Sequence, residues 1–253
     1  MIARITCALL GLVVVAGCGG SARSAGPDEP PRPLAGATCA DVVVLGVRGS
    51  GQAADQNLGV GKEVLRTVTD LARRVERRDG TSMRLDAVRY DASGTATGST
   101  YFEHVSAGAR LLGRQARDLV AQCPGSRLAV VGFSQGADVV HEFADDVRPA
   151  LARRIALVGM IADPRRNPAD SIHQWSYAPD PVPHPGLLGA GAPVDADVRA
   201  VAISFCVKGD EVCSGGGVVG ERTSATHRFF YEKPATAAIT AQQLDRVLQA
   251  GGA

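Results

Sequence analysis

The chain has 253 residues, 45% of them hydrophobic, which is enough to build the core of one α/β domain of ordinary size. Its 27 Lys and Arg residues nearly balance its 26 Asp and Glu residues. A chain without a large net charge has no general attraction to polyanions, so the composition argues against a nucleic-acid-binding protein.

The first 17 residues have the features of a secretory signal. One positive charge at Arg4 precedes a mostly apolar run, residues 5–16, that is short for a membrane span. The run closes on Val15-Ala16-Gly17-Cys18, which resembles a bacterial lipobox, where the cysteine thiol is acylated. We therefore expect an exported protein held by lipid on Cys18 at the outer face of the cell membrane or in the cell envelope. An ordinary signal peptide and full secretion are the alternative.

A linker and a folded domain follow this signal. Residues 18–37 are rich in Gly, Ser and Pro, which indicates a linker before a domain at 38–253. Cleavage of the signal removes Cys7 and leaves five cysteines, an odd number for an oxidising compartment, whereas acylation of Cys18 leaves an even four. No C-x-x-C pair is present, and we expect neither a metal nor an organic cofactor.

Apolar runs of strand length alternate with helical periodicity along the rest of the chain. Strands are predicted at residues 41–47, 85–90, 128–132, 155–161 and 198–205, and helices at 57–77, 102–122, 135–147 and 238–248. Residues 164–197 show no clear period and are predicted to form long loops. This alternation predicts an α/β fold: a doubly wound, mainly parallel sheet of about five strands with helices on both faces.

The segment Gly132-Phe133-Ser134-Gln135-Gly136 matches G-x-S-x-G and lies between a predicted strand and a predicted helix. In such a turn the serine is strained, and only glycine fits at the two flanking positions. The helix N-terminus behind it favours the negative charge of a tetrahedral intermediate. Ser134 is therefore predicted to be a nucleophile. The alternative is a serine that only caps the helix.

A serine nucleophile needs a histidine as its base and a carboxylate that orients the histidine. In the chain order of α/β-hydrolases both follow the serine, with the acid after a later strand, and this selects Asp210 and His227. Asp163 also ends a strand and is the alternative acid, although an Asp before proline commonly organises a turn. Asp138 and His141, on the helix after the serine, are predicted to be structural.

The ordered set of motifs resembles the cutinase family and its actinobacterial cutinase-like esterases. The matching segments cover nearly all of residues 39–231 and are Cys39-Ala40-Asp41, Arg48-Gly49-Ser50, Cys123-Pro124, Gly132-Phe133-Ser134-Gln135-Gly136-Ala137 and Cys206-x-x-Gly209-Asp210-x-Val212-Cys213. The resemblance implies a small hydrolase without a large lid. It also implies two disulfides, Cys39 to Cys123 and Cys206 to Cys213, the second of which would hold Asp210 rigidly.

The resemblance further implies an oxyanion hole at the backbone amide of Gln135 and at Ser50. His227 follows Asp210 by 17 residues (227 minus 210), more than is usual in the family, which indicates a lengthened loop. Candidates for an apolar wall along the acyl chain are Leu187, Leu188, Val218 and Val219.

The sequence thus predicts an esterase that hydrolyses carboxylic esters through an acyl-enzyme on Ser134. Its expected partners are an ester or lipid substrate and the membrane that holds the Cys18 anchor, without nucleic acid, and it is expected to be a monomer. Two alternatives remain. One is an acyltransferase with the same three residues, and the other is a non-catalytic lipid-binding protein of the cell envelope, against which the complete set of three argues.

Overall fold

The computed structural model describes residues 30–93, 99–215 and 223–251. Its centre is a parallel sheet with the strand order β2-β1-β3-β4-β6-β5. The strands are β1 (Val42–Val47), β2 (Met83–Ala87), β3 (Arg127–Phe133), β4 (Ile155–Ile161), β5 (His173–Ser176) and β6 (Ala202–Cys206). The helices are α1 (Lys62–Asp79), α2 (Ser99–Gln122), α3 (Gln135–Ala144), α4 (Pro149–Ala152), α5 (Glu211–Ser214), α6 (Ala225–Phe229) and α7 (Pro234–Ala250).

Helices cover both faces of this sheet, which confirms the predicted doubly wound α/β class. On one face α1 packs against α7, and on the other α2 packs against α3. Successive side chains of β1 alternate between the two layers: Val43 and Leu45 belong to the core under α2 and α3, whereas Val42 and Val44 belong to the core under α1 and α7. Burial on both faces explains why the strand sequences are continuous apolar runs.

The sequence prediction starts α1 too early. Gly59 and Gly61 have φ angles of 78° and 79°, a left-handed backbone that no α-helix contains. Residues Asn57–Gly59 therefore form a separate 3-10 turn, and α1 begins only at Lys62. The apolar spacing of three and four residues runs across this break, so the pattern alone did not reveal it.

In the part of the chain that the structure describes, the sheet has six strands, one more than the strands predicted from the sequence. The additional strand, β5, lies inside the predicted loop region and has no fully buried residue. Among the described residues it pairs with β6 alone and forms the edge of the sheet. A short strand at a sheet edge needs no alternation of apolar and polar residues, so the sequence of β5 showed no such pattern. The predicted last strand begins with a 3-10 turn at Arg199–Val201, and only residues from Ala202 onward pair.

Both disulfides implied by the resemblance are present, Cys39 to Cys123 and Cys206 to Cys213. The end of the predicted linker is packed on the domain: Leu34 is buried, and the Gly36 N–H donates to the carbonyl of Met83, the first residue of β2. The signal sequence and Cys18 lie outside the described residues. Among the described residues no helix is long and apolar enough to span a membrane.

The strand order reverses beside β1, because β2 pairs with one of its edges and β3 with the other. The connections that leave β1 and β3 therefore diverge, and a crevice opens between the carboxyl ends of these two strands. Ser134 directly follows β3, and the Arg48-Gly49-Ser50 segment directly follows β1. The topology brings these two segments together.

Candidate active site

Ser134 occupies a tight turn between β3 and α3. Its φ and ψ angles are 55° and −122°, a conformation that residues other than glycine rarely adopt, and its N–H donates to the carbonyl of Ile161 at 2.9 Å. A Cβ atom at Gly132 would lie 2.1 Å from the carbonyl oxygen of Gly136, and one at Gly136 would lie 2.2 Å from that of Val47. Only glycine fits at both positions, so close packing holds the serine in this conformation.

The side chains of Ser134, His227 and Asp210 form a continuous series of hydrogen bonds. His227 Nε2 lies 3.0 Å from Ser134 Oγ, and His227 Nδ1 lies 3.0 and 3.2 Å from the two carboxylate oxygens of Asp210. The imidazole ring is stacked on Phe133, with ring centroids 5.1 Å apart. With the Nδ1 proton donated to the carboxylate, the lone pair of Nε2 faces the serine hydroxyl.

Asp210 is fully buried, and both of its carboxylate oxygens accept hydrogen bonds from groups other than His227. Its Oδ1 accepts from the Val212 N–H at 3.0 Å, and its Oδ2 accepts from the Tyr231 hydroxyl at 2.8 Å. Burial and the nearby charge of Asp210 raise the pKa of Tyr231 well above its ordinary value, so the hydroxyl keeps its proton and remains a donor. These bonds, with the flanking disulfide between Cys206 and Cys213, fix the carboxylate in place.

Two short helices hold His227 opposite Asp210. Ser224 is the N-cap of α6, and its hydroxyl accepts from the His227 N–H at 3.2 Å. Glu211 of α5 in turn accepts from the Ser224 N–H at 2.6 Å, which joins the acid and base segments. Serine is a residue type preferred at helix N-caps, so Ser224 was the visible sign of a helix start before His227. Tyr231 and Glu211 gave no such signal, because only the tertiary structure brings them to this site.

Asp163, the alternative acid, lies against a different histidine. Its Oδ2 lies 2.5 Å from Nδ1 of His141, whose Nε2 lies 2.8 Å from the carbonyl oxygen of Ala192. Burial alone would lower the pKa of His141, but the charge of Asp163 and its hydrogen bond raise this pKa to about 9. Asp138, on the same helix, pairs with Arg165. The side chains of Asp138 and His141, the two residues predicted to be structural, thus belong to a buried network that bonds other partners than the Ser134 hydroxyl.

A cleft of about 630 Å³ opens beside Ser134. Its lining is mainly polar and consists of Ser50, Gly51, Gln52, Ala53, Gln56, Asn57, Lys62, Glu63, Phe133, Ser134, Thr223, His227, Arg228, Phe229 and Glu232. The apolar wall expected from Leu187 and Leu188 is not part of it: the Leu187 N–H donates to Val212, and Leu188 packs against the core under α2 and α3. Val218 and Val219 lie outside the described residues.

The two residues of the expected oxyanion hole lie on either side of the serine turn. Ser50 lines the same cleft as Ser134, and Gln135 is the first residue of α3, directly behind it. The Gln135 side chain is buried and accepts from the Tyr90 hydroxyl at 3.4 Å. No group of three or more His, Cys, Asp or Glu side chains is placed to hold a metal in the parts of the chain that the structure describes.

Known proteins are similar to this chain along most of its length. The family model described as Cutinase matches residues 38–242. The carboxylesterase Culp1 of Mycobacterium tuberculosis (strain ATCC 25618 / H37Rv) is 27% identical over 207 residues, 82% of this chain and 83% of that protein. A cutinase of Blumeria hordei is 31% identical over 98 residues, 39% of this chain and 31% of that protein.

Solved structures share the fold at lower identity. A cutinase-like protein from Cryptococcus sp. has a TM-score of 0.66 at 16% identity, covering 83% of this chain and 96% of that one. The catalytic core of an acetyl xylan esterase from Trichoderma reesei has a TM-score of 0.60 at 17% identity, covering 83% of this chain and 98% of that one. With the family match over residues 38–242, these findings show that the chain belongs to the cutinase family and is a carboxylic ester hydrolase.

Proposed function

We propose that this protein is an exported serine esterase that works through an acyl-enzyme on Ser134, with His227 as general base and Asp210 as the orienting acid. The observation that carries the proposal is the unbroken hydrogen-bond series from the serine hydroxyl through the imidazole to a buried carboxylate. A hydroxyl is a weak nucleophile until such a base removes its proton.

The reaction proceeds in two halves. His227 Nε2 takes the proton of Ser134 Oγ while this oxygen attacks the ester carbonyl carbon, and the imidazolium then gives that proton to the departing alcohol. In the second half a water molecule loses a proton to His227 and attacks the acyl-enzyme, and the proton returns to Ser134 as the carboxylic acid leaves. Asp210 stays ionised and stabilises the imidazolium in both halves.

The negative charge that develops on the carbonyl oxygen needs donors on the far side of the serine. The N–H of Gln135, at the positive end of α3, and Ser50, which lines the same cleft, are the proposed donors. Removal of one such donor typically lowers kcat by about two to three powers of ten.

The chemistry of the cleft supports esters with short acyl chains. Among its described lining residues, Phe133 and Phe229 are the large apolar side chains, and Phe133 is already stacked on the ring of His227. A long hydrocarbon chain in this cleft would desolvate exposed amides and charged groups such as Gln56 and Lys62 without offering them hydrogen bonds. Short esters avoid this cost.

The first experiment measures hydrolysis of p-nitrophenyl esters from acetate to palmitate by the purified protein and by Ser134→Ala. We expect the highest kcat/KM on the short esters and a loss of about five to six powers of ten in kcat for Ser134→Ala, as for the loss of other serine nucleophiles. Ser204→Ala is the matched control, since this serine is buried in β6 and its hydroxyl has no hydrogen-bond partner among the described residues. Activity that survives in Ser134→Ala would refute the acyl-enzyme.

A further inference from the structure

The loop after β1 lies in direct contact with the serine turn. A Cβ atom at Gly49 would lie 3.3 Å from the Cβ of Ser134 and 3.2 Å from the carbonyl oxygen of Phe133. On the other side of the contact, the α3 backbone at Gly136 packs on the carbonyl oxygen of Val47. A small shift of this loop therefore moves backbone groups relative to the serine hydroxyl.

The side chain of Gln52 closes this loop and is held at both ends. Its Oε1 accepts from the Gly49 N–H at 2.7 Å, and its Nε2 donates to Glu63 Oε2 at 2.6 Å. Because a backbone N–H can only donate, the amide oxygen must face Gly49 and the amide nitrogen must face Glu63. A Cβ atom at Gly61 would lie 2.1 Å from Gln52 Oε1, so this glycine leaves the space that the amide fills.

The buried position of the Glu63 carboxylate costs free energy, because a charged group loses its hydration there. It is the second residue of α1, its side chain lines the cleft, and only 4% of it is exposed. Burial raises its pKa, and so does the charge of Glu232, whereas the hydrogen bond from Gln52 and the charge of His227 lower it. The proposed reaction does not use Glu63 directly, so its burial calls for another explanation. A carboxylate accepts a stronger hydrogen bond from an amide than a neutral group does.

We propose that Glu63 and Gln52 are positioning residues for ester hydrolysis: Glu63 holds the Gln52 amide, which holds the Gly49 N–H and thereby fixes the loop that presents Ser50. This inference rests on the function proposed above. Gln52 engages the Gly49 N–H, and the oxyanion donor that we propose on this loop is the next residue, Ser50.

Such a role has a kinetic signature. The charge on the carbonyl oxygen develops in the transition state, so a misplaced oxyanion donor lowers kcat and leaves substrate binding nearly unchanged. Loss of a whole donor costs about two to three powers of ten, and a displaced donor loses part of this, so we expect a drop in kcat of about ten-fold or more. A residue that only shaped the cleft would change KM instead.

The experiment compares Glu63→Leu, Glu63→Gln and Glu76→Leu with the unchanged protein, using p-nitrophenyl butyrate. We expect Glu63→Leu to lower kcat at least about ten-fold with KM within about two-fold. Glu63→Gln keeps an oxygen that can accept from Gln52, so its kcat should stay within about three-fold of the unchanged protein. Glu76 lies on the exposed side of the same helix, and Glu76→Leu should leave both constants unchanged.

Gln52→Ala tests the same series of hydrogen bonds without a leucine at a buried position, should Glu63→Leu not fold. It should lower kcat to a similar extent. Where Glu63→Leu folds, adding it to Gln52→Ala should cost little more, because each of these two changes breaks the same series. Full kcat in a folded Gln52→Ala or Glu63→Leu, or a loss confined to KM, would overturn this inference while the esterase function stands. A protein with no activity on any ester would overturn both.

Discussion

Two buried histidine–aspartate pairs give their histidines opposite chemistry. In His227 one ring nitrogen faces Asp210 and the other faces a serine hydroxyl, which can donate a proton, so the ring can stay neutral and act as a base. In His141 both nitrogens face acceptors, the Asp163 carboxylate and the Ala192 carbonyl, so the ring carries both protons and has no lone pair to offer. The group that faces Nε2, a hydroxyl beside His227 and a carbonyl oxygen beside His141, decides which histidine can serve as a base.

Replacing Asp210 or Asp163 by asparagine tests which of these two acids orients the catalytic histidine. Asp210→Asn should lower kcat/KM by about four powers of ten, because an amide stabilises neither the required tautomer nor the imidazolium. Asp163→Asn should leave kcat/KM within about three-fold, although it removes the charge partner of the buried His141 and weakens the fold by about 3 kcal/mol. Kinetics on p-nitrophenyl butyrate and urea unfolding of both variants check this. The reverse ranking of activities would assign the acid to Asp163.

Tyr231 should contribute to activity through Asp210. Tyr231→Phe deletes the hydroxyl that donates to the carboxylate and accepts from the Val207 N–H, and we expect kcat/KM to fall about ten-fold, the effect of one lost hydrogen bond to a charged group. Tyr177→Phe is the matched control, since its hydroxyl bonds Thr240 in the same aromatic cluster. Steady-state kinetics on both variants decide the matter. Equal activity of the two would show that the Tyr231 hydroxyl is dispensable.

At the scale of elements, the buried network behind the serine fastens α3 to the segment after β4. His141 and Asp138 lie on α3, while their partners Asp163 and Arg165 lie directly after β4. The Arg165 side chain also reaches Glu142 on α3 at 3.1 Å. Since α3 begins right behind Ser134, these ion pairs hold the helix whose N-terminus faces the site.

This network should make stability depend on pH. The folded pKa of His141, about 9, lies above the value of about 6.5 for an unfolded histidine. Its contribution of about 3 kcal/mol is therefore fully present below pH 6.5 and disappears as the pH rises through 9. Urea unfolding of the unchanged protein and of His141→Gln from pH 6 to 10 measures it: the difference between them should shrink towards alkaline pH. A difference that stays constant would contradict the raised pKa.

At the scale of the whole molecule, the sheet order places the serine turn and the loop after β1 at one end of the domain, where the strand order reverses. The chain enters the domain along β2, where Ala35 forms a bridge with Arg84. The lipid attachment expected at Cys18 lies before residue 30, outside the described residues, and stays a prediction from the sequence.

Cys18→Ala tests that attachment. In a bacterial host that processes lipoproteins, the unchanged protein should enter the detergent phase of a Triton X-114 partition. Stable membrane binding needs more than one acyl chain, and the lipoprotein modification at Cys18 would supply them. The variant should appear in the aqueous phase with the same esterase activity per molecule. An unchanged protein that is already in the aqueous phase would favour ordinary secretion.

The sequence by itself determined the fold class, because strands buried on both faces are continuous apolar runs and β1, β3 and β4 were recognisable from them. It also predicted the serine turn, since the G-x-S-x-G motif is contiguous and Gly132 is required by its contact with Gly136, four residues along the chain. The family resemblance supplied both disulfides, and the chain order of α/β-hydrolases supplied Asp210 and His227 as acid and base. All these signals are local in the chain or follow from its order.

Only the tertiary structure decided that Asp163 bonds His141 and Asp210 bonds His227. It also brought Tyr231, Glu211 and the Gln52–Glu63 pair to the site. It placed Leu187 and Leu188, two of the four residues expected in an apolar wall, outside the cleft, whose described lining is mainly polar, and revealed the edge strand β5. The physical reason is the same in each case. These contacts join side chains that are far apart in sequence, and a polar side chain carries no periodic signal of the partner that it will meet in the fold.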